Sequence, residues 1–198
     1  MISTPHSTPS TFLNTLRTQT NDAHKMLESL PVSEEIISKD LVISDYIKYL
    51  QLMYSTVKQV ETEIYPLVHE FVSDLDLRHK SQLIERDLAA LSCGLPQLQH
   101  VYDFPQPVST AFAFGILYVI EGSTLGGRYI LKNVEQALHL NFNNGASYFA
   151  GYQTATGSRW KSFLSDMTKF ENETQNSAEI IAGAEFGFNS IYLHLKND

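Results

Sequence analysis

Helical periodicity runs along most of this chain and constrains its fold more than any other feature. Apolar residues recur at every third or fourth position, which is the spacing of one face of an α-helix. No alternation of apolar and polar residues is long enough to predict a strand, and no segment repeats. The pattern predicts an all-α fold with helices over about 10–30, 44–64, 77–93, 109–140, 156–170 and 177–195.

Capping residues and helix breakers set the predicted boundaries. Pro31 ends the first helix, Gly94 is a candidate C-cap for the third, and Ser109 is a candidate N-cap for the longest. Residues 94–108 contain three prolines and are predicted to be a loop within one domain. With 198 residues in the chain, we expect a flexible segment at 1–9 and a single helical bundle over 10–198.

Composition excludes several classes of function. The formal net charge is −8 and there is no basic run, so neither nucleic acid nor an anionic membrane is an expected partner. The longest apolar run, residues 111–120, is too short to span a bilayer, and the N-terminus does not read as a signal peptide. The single cysteine, Cys93, fits a reducing compartment. We therefore expect a cytoplasmic protein.

The centre of the longest predicted helix is unusual because it contains Gly122, Gly126 and Gly127. Each glycine inside a helix costs roughly 1 kcal/mol relative to alanine, so the segment is expected to interrupt the helix or serve a purpose there. Glycine allows a backbone to approach a flat ligand closely, and it equally allows two helices to pack closely. The spacing alone does not distinguish these two interpretations.

His24 is the candidate ligand on the first helix. It falls on the apolar face between Thr20 and Leu27, so its side chain is expected to point inward. An isolated inward histidine is most often a core residue, but Glu28 follows one turn later and can accept its Nδ1 proton. Arg17 lies two turns earlier on nearly the same face, where it can meet an anionic group.

Two of these segments resemble the haem oxygenase family. The segment from Leu16 to Leu30, with His24 and Glu28, resembles the family's proximal helix. The stretch from Gly115 to Arg128, which reads GILYVIEGSTLGGR, resembles its distal helix and is the more specific match. The resemblance covers about residues 10–195 and is nearest to the bacterial, biliverdin-producing type found alongside bacteriophytochromes.

The resemblance implies a role for each matching residue. It implies a single all-α domain in which His24 binds the haem iron, Glu28 orients His24, and the distal helix lies on the other side of the haem. The distal residues implied are Gly122, Gly126 and Gly127, and the residues implied near the haem propionates are Arg17, Tyr118 and Lys161, with Arg159 a weaker candidate.

Ser123 departs from the pattern of many family members. Those members have an aspartate directly after the first distal glycine, where it organises the water that protonates bound oxygen. A serine hydroxyl holds a water molecule but supplies no negative charge. Bacterial relatives of this type also lack the aspartate, so Gly122, Ser123 and Gly126 are the residues expected next to the reacting oxygen.

The implied reaction is the oxidative cleavage of haem to biliverdin with release of CO and ferrous iron. Haem is then both cofactor and substrate, and the reaction consumes O2 and electrons from an external donor such as ferredoxin or an NADPH reductase system. A phytochrome is a candidate acceptor of the biliverdin.

Three other interpretations were weighed against this one. A non-catalytic haem carrier or sensor on the same fold stays open, because Ser123 alters the distal side. Thiaminase-like and pyrroloquinoline-quinone-synthesis proteins share the fold but need neither the His24–Glu28 pair nor the glycines. A ferritin-like di-iron bundle requires Glu-x-x-His motifs, which this sequence does not contain.

Overall fold

The computed structural model describes residues 11–197, and these residues contain nine α-helices and no β-strand. The all-α prediction is therefore confirmed. The flexible segment predicted at residues 1–9 lies outside the described residues. The helices are Thr11–Glu28 (α1), Pro31–Glu35 (α2), Ile43–Glu63 (α3), Tyr65–Val68 (α4), Ser81–Ala90 (α5), Thr110–Leu138 (α6), Ser147–Ala150 (α7), Thr156–Thr174 (α8) and Ser177–Lys196 (α9).

α6 and α9 pack along each other at the centre of the bundle. Two glycines make this close approach possible. A Cβ at Gly115 would overlap the backbone of Ile180, and a Cβ at Gly183 would overlap the backbone of Phe112. α1 also packs on α9, through a buried stripe of Phe12, Leu16 and Thr20. α9 therefore supports both α1 and α6, the two helices that the sequence singled out.

α6 is continuous over its 29 residues, so the predicted interruption at its glycines is wrong. Ser109 is the N-cap as predicted, and its side-chain oxygen accepts the N–H of Phe112 at 3.1 Å. The helix ends at His139, which has a left-handed backbone (φ 57°). Packing of α6 against α7, α8 and α9 stabilises the helix through its glycines.

α5 is shorter than predicted because a 3₁₀ turn at Leu75–Leu77 precedes it. Its C-terminus also differs from the prediction, since Ser92 and not Gly94 adopts the left-handed backbone (φ 56°). The N–H of Cys93 donates to the carbonyl of Leu88 at 2.8 Å, which completes a Schellman motif around Ser92. Gly94 is therefore not the C-cap.

None of the helices in 11–197 combines the length and apolar character that a bilayer crossing needs.

Candidate functional site

The candidate ligand His24 lies on α1 one turn beyond the end of the buried stripe. Its side chain is 55% exposed, so the prediction that it points into the core is wrong. α9 supplies one aromatic contact there, from Phe188, whose ring centroid is 5.6 Å from that of His24 in an edge-on arrangement. The remainder of the imidazole lies at the surface of the described structure.

Glu28 and His24 form the pair that the spacing predicted. Oε2 of Glu28 lies 3.4 Å from Nδ1 of His24. A carboxylate at this position favours the tautomer that carries its proton on Nδ1. Nε2 has no hydrogen-bond partner among residues 11–197, so it is free to bind a metal.

α1 and α6 come together at Tyr118. Burial raises the pKa of Tyr118, and the hydroxyl of Thr20 and the charge of Arg17 lower it, with a net increase. The interaction between Tyr118 and Thr20 brings the two helices together at this point. In steps of four residues, His24 and Glu28 follow Thr20 on α1, and Gly122 and Gly126 follow Tyr118 on α6.

The distal glycines have different surroundings. Gly126 is exposed, and a Cβ there would meet nothing within 4 Å. Gly122 is half-buried, with room for a Cβ in ordinary contact with a neighbouring ring. Gly127 is buried, and its Cβ would lie 3.3 Å from the carbonyl oxygen of Phe149 in α7. Packing on α7 accounts for Gly127, whereas no packing contact accounts for Gly126.

Ser123 is exposed beside Gly122. Its hydroxyl donates to the carbonyl of Ile120 at 2.8 Å, so the proton is held within α6. The oxygen retains a lone pair that can accept a hydrogen bond from water.

Trp160 lies next to the site and is a residue that the sequence analysis did not single out. Its Cη2 atom is 3.6 Å from the Cβ position of Gly122, and its ring centroid is 5.5 Å from that of Tyr118. It is half-buried on α8. Helical spacing could not separate this position from the core, because Trp160 also packs on the buried Phe163.

The two basic candidates on α8 differ in their partners. Lys161 is exposed and makes no ion pair with the described residues. Arg159 forms an ion pair with Asp74 and stacks over Tyr152, so it is already engaged in the fold. Lys161 is therefore the better candidate for an anionic group on a ligand.

A buried group of charges adjoins the glycines on α6, and no pattern in the sequence predicts it. Glu121 is fully buried and forms ion pairs with Arg78 and Lys80, which are themselves buried. The phenol of Tyr152 contacts both Glu121 oxygens, at 2.9 and 3.1 Å. The partners are more than 30 positions apart in the sequence, where no local pattern connects them.

The arrangement fits a planar ligand that carries iron and carboxylates. His24 offers an unpaired Nε2, Gly126 offers bare backbone on α6, and Arg17 and Lys161 offer exposed positive charge. Among residues 11–197, no group of three histidine, cysteine or acidic side chains is placed to hold a metal ion by itself.

Comparison with known proteins identifies the family. The haem oxygenase family model matches residues 10–195. Haem oxygenase PigA from Pseudomonas aeruginosa is 30% identical over 176 residues, which cover 86% of this chain and 84% of PigA.

Solved structures show the same fold. The NO- and CO-bound haem oxygenase from Neisseria meningitidis has a TM-score of 0.78 at 22% identity, over 96% of this chain and 92% of that one. The haem oxygenase-1 of the cyanobacterium Synechocystis sp. PCC6803 in complex with haem has a TM-score of 0.70 at 15% identity, over 94% and 91% of the two chains. From the family match and the relationship to PigA, this chain belongs to the haem oxygenase family.

Proposed function

We propose that this haem oxygenase binds haem between α1, at His24 and Glu28, and α6, at Gly122 and Gly126, with His24 as the iron ligand. As a member of its family the protein cleaves haem to biliverdin, releasing CO and ferrous iron. The observation that carries the proposed site is the His24–Glu28 pair, in which Nε2 of His24 has no partner among residues 11–197. When bound, the haem supplies the iron and the redox chemistry of the reaction.

On the proximal side, Glu28 orients His24. By accepting the Nδ1 proton, Glu28 keeps Nε2 available and makes the imidazole a stronger donor to iron. Phe188 contacts the edge of the ring and limits its rotation. Because the pair lies at the protein surface in the described structure, the ligand itself covers it on binding.

On the distal side, α6 presents backbone in place of side chains. Gly126 has nothing within 4 Å of its Cβ position, so the ring and a small molecule bound on the iron can lie against the helix. Ser123 and Gly122 lie on the same part of the helix, and the Ser123 oxygen can hold a water molecule that delivers a proton. Gly127 is not needed for this contact, because it packs on α7.

Three side chains are placed to bind the haem propionates. Arg17 and Lys161 are exposed cations in a protein of net charge −8, so they stand out from an acidic surface. Tyr118 lies one turn before Gly122 on α6 and keeps its proton, because burial raises its pKa. Charge-assisted hydrogen bonds from these groups would fix the orientation of the ring.

The reaction also needs O2 and electrons. We propose an external donor, a ferredoxin or an NADPH reductase system, as the resemblance to the family implies. A phytochrome is a proposed acceptor of the biliverdin. The non-catalytic carrier is the weaker proposal, because PigA and the structural relatives are named as oxygenases.

Titration of the haem-free protein with hemin tests the site. The wild-type protein should give a sharp Soret band, and His24→Ala should lose it. Glu28→Gln should keep the band but weaken haem affinity about tenfold, because it removes the partner that orients the ligand. His69→Ala is the matched control, since His69 is an exposed histidine that also neighbours a glutamate. An unchanged Soret band in His24→Ala would refute the proposed ligand.

A further inference from the structure

A buried ion cluster lies behind the proposed site and takes no part in the function described so far. It connects α6, α8, the segment between α4 and α5, and the segment between α7 and α8. Its members are Asp74, Arg78, Lys80, Glu121, Tyr152 and Arg159.

At α6 the cluster saturates the carboxylate of Glu121. Arg78 donates to Oε2 and Lys80 donates to Oε1. Tyr152 contacts both oxygens through its hydroxyl, which also accepts a hydrogen bond from Lys80 at 2.8 Å. Glu121 is directly before Gly122 on the helix, so the site begins at the next residue.

The guanidinium of Arg78, which binds Glu121 on α6, also forms hydrogen bonds at α8. Nη2 of Arg78 donates to the carbonyl of Arg159 at 3.0 Å, and its Nε donates to Asp74 at 2.6 Å. The side chain of Arg159 also pairs with Asp74. Arg159 directly precedes Trp160, just as Glu121 directly precedes Gly122. Because Trp160 contacts the Gly122 position, Arg78 connects the two residues that stand immediately before this contact.

A buried cluster of charges adds little net stability compared with an apolar cluster, although removing one charge leaves its partners unpaired and destabilises the fold. Desolvation of the ions opposes the attraction between them, and an apolar cluster of the same shape often stabilises a fold equally well. A cluster whose every carboxylate oxygen is bonded does, however, specify one geometry. Burial alone lowers the pKa of Arg78, but the charge of Glu121 and the bond to Asp74 outweigh it, so Arg78 stays charged.

We infer that Glu121 is a positioning residue that fixes the rotation of α6 about its axis and, through Arg78, the position of Trp160. Successive residues on a helix are about 100° apart, so a rotation by one position would turn Gly122 away and present Ser123 or Glu121 to the ligand. The bonds to Arg78, Lys80 and Tyr152 prevent that rotation. The consequence for haem rests on the proposed function, whereas the consequence for Trp160 does not.

The fluorescence of Trp160 reports the geometry directly, because it is the only tryptophan in the chain. The measurement is acrylamide quenching of the haem-free protein, with helix content checked by circular dichroism. The variants are Glu121→Gln and Tyr152→Phe. Tyr152→Phe removes only the hydroxyl and leaves the ring over Lys80, so it decides the test if Glu121→Gln does not fold.

Glu85→Gln is the matched control. Glu85 is a part-buried glutamate that accepts a hydrogen bond from the Tyr54 phenol at 3.0 Å and pairs with Lys58 at 3.4 Å. It thus has the same kinds of partner as Glu121, but none of them lies on α6 or α8.

Both cluster variants should increase the quenching of Trp160 while helix content stays the same, and Glu85→Gln should not. Haem affinity should fall about tenfold in Glu121→Gln, because a rotation of α6 that presents Gly122 only about a tenth of the time lowers the apparent affinity by that factor. Unchanged quenching in Tyr152→Phe and in any folded Glu121→Gln would overturn the inference. Absence of haem binding by the wild-type protein would instead contradict the proposed function, and the quenching result would still decide the role of Glu121.

Discussion

Asp74 forms ion pairs with two arginines, and these pairs make the stability of the fold depend on pH. Burial raises its pKa, but the hydrogen bonds and charges of Arg78 and Arg159 outweigh burial and bring the pKa below its ordinary value of 3.8. The folded protein therefore binds this proton less readily than the unfolded chain. The stabilisation is present above pH 3.8 and is lost as the pH falls through the folded pKa.

Asp74→Asn should therefore remove part of the acid sensitivity of the fold. At neutral pH the variant should lose about 2 kcal/mol of unfolding free energy, because two charge-assisted hydrogen bonds are weakened. As the pH falls below 3.8, the stabilities of wild type and variant should converge. Urea unfolding at a series of pH values measures this, and a difference that stays constant down to the lowest pH would contradict it.

At the scale of the element, α6 uses glycine for two separate purposes. Gly115 allows the backbone of α9 to approach, whereas Gly126 is exposed with an empty Cβ position. The first glycine serves the packing of the fold, whereas no contact with the described residues requires the second. Both lie within one continuous helix, so helix propensity acts on them equally.

Alanine at these two positions should have opposite effects on the haem-free protein. Gly126→Ala should raise the unfolding free energy by about 1 kcal/mol, the gain in helix propensity. Gly115→Ala should lower it by roughly 3 kcal/mol or more, because the new methyl group overlaps the backbone of α9. The two variants serve as controls for each other in urea unfolding.

Substitutions of Gly126 should also impair hemin binding and ring opening. Gly126→Ala should bind hemin more weakly than wild type, and Gly126→Leu should weaken binding further or block ring opening. A Gly126→Leu protein with wild-type hemin affinity and full biliverdin yield would show that α6 does not face the haem at this position.

At the scale of the whole molecule, local signals predicted the helices and non-local contacts decided the rest. Helical spacing and the Ser109 cap gave α6, and the interval of four gave the His24–Glu28 pair. The exposure of His24 and the packing of Gly127 depend on which element lies opposite, and spacing carries no such information. The Glu121 cluster could not be predicted for the same reason, since Arg78 is 43 positions away from Glu121 in the sequence.

Haem bound at His24 should be opened on the glycine side of α6. To test this, the purified protein is reconstituted with hemin, ascorbate or ferredoxin with its reductase is added in air, and the absorption spectrum is followed. The Soret band should decay into the broad red absorbance of biliverdin, with CO released, and His24→Ala should do neither. A Soret band that persists without any bilin would contradict it.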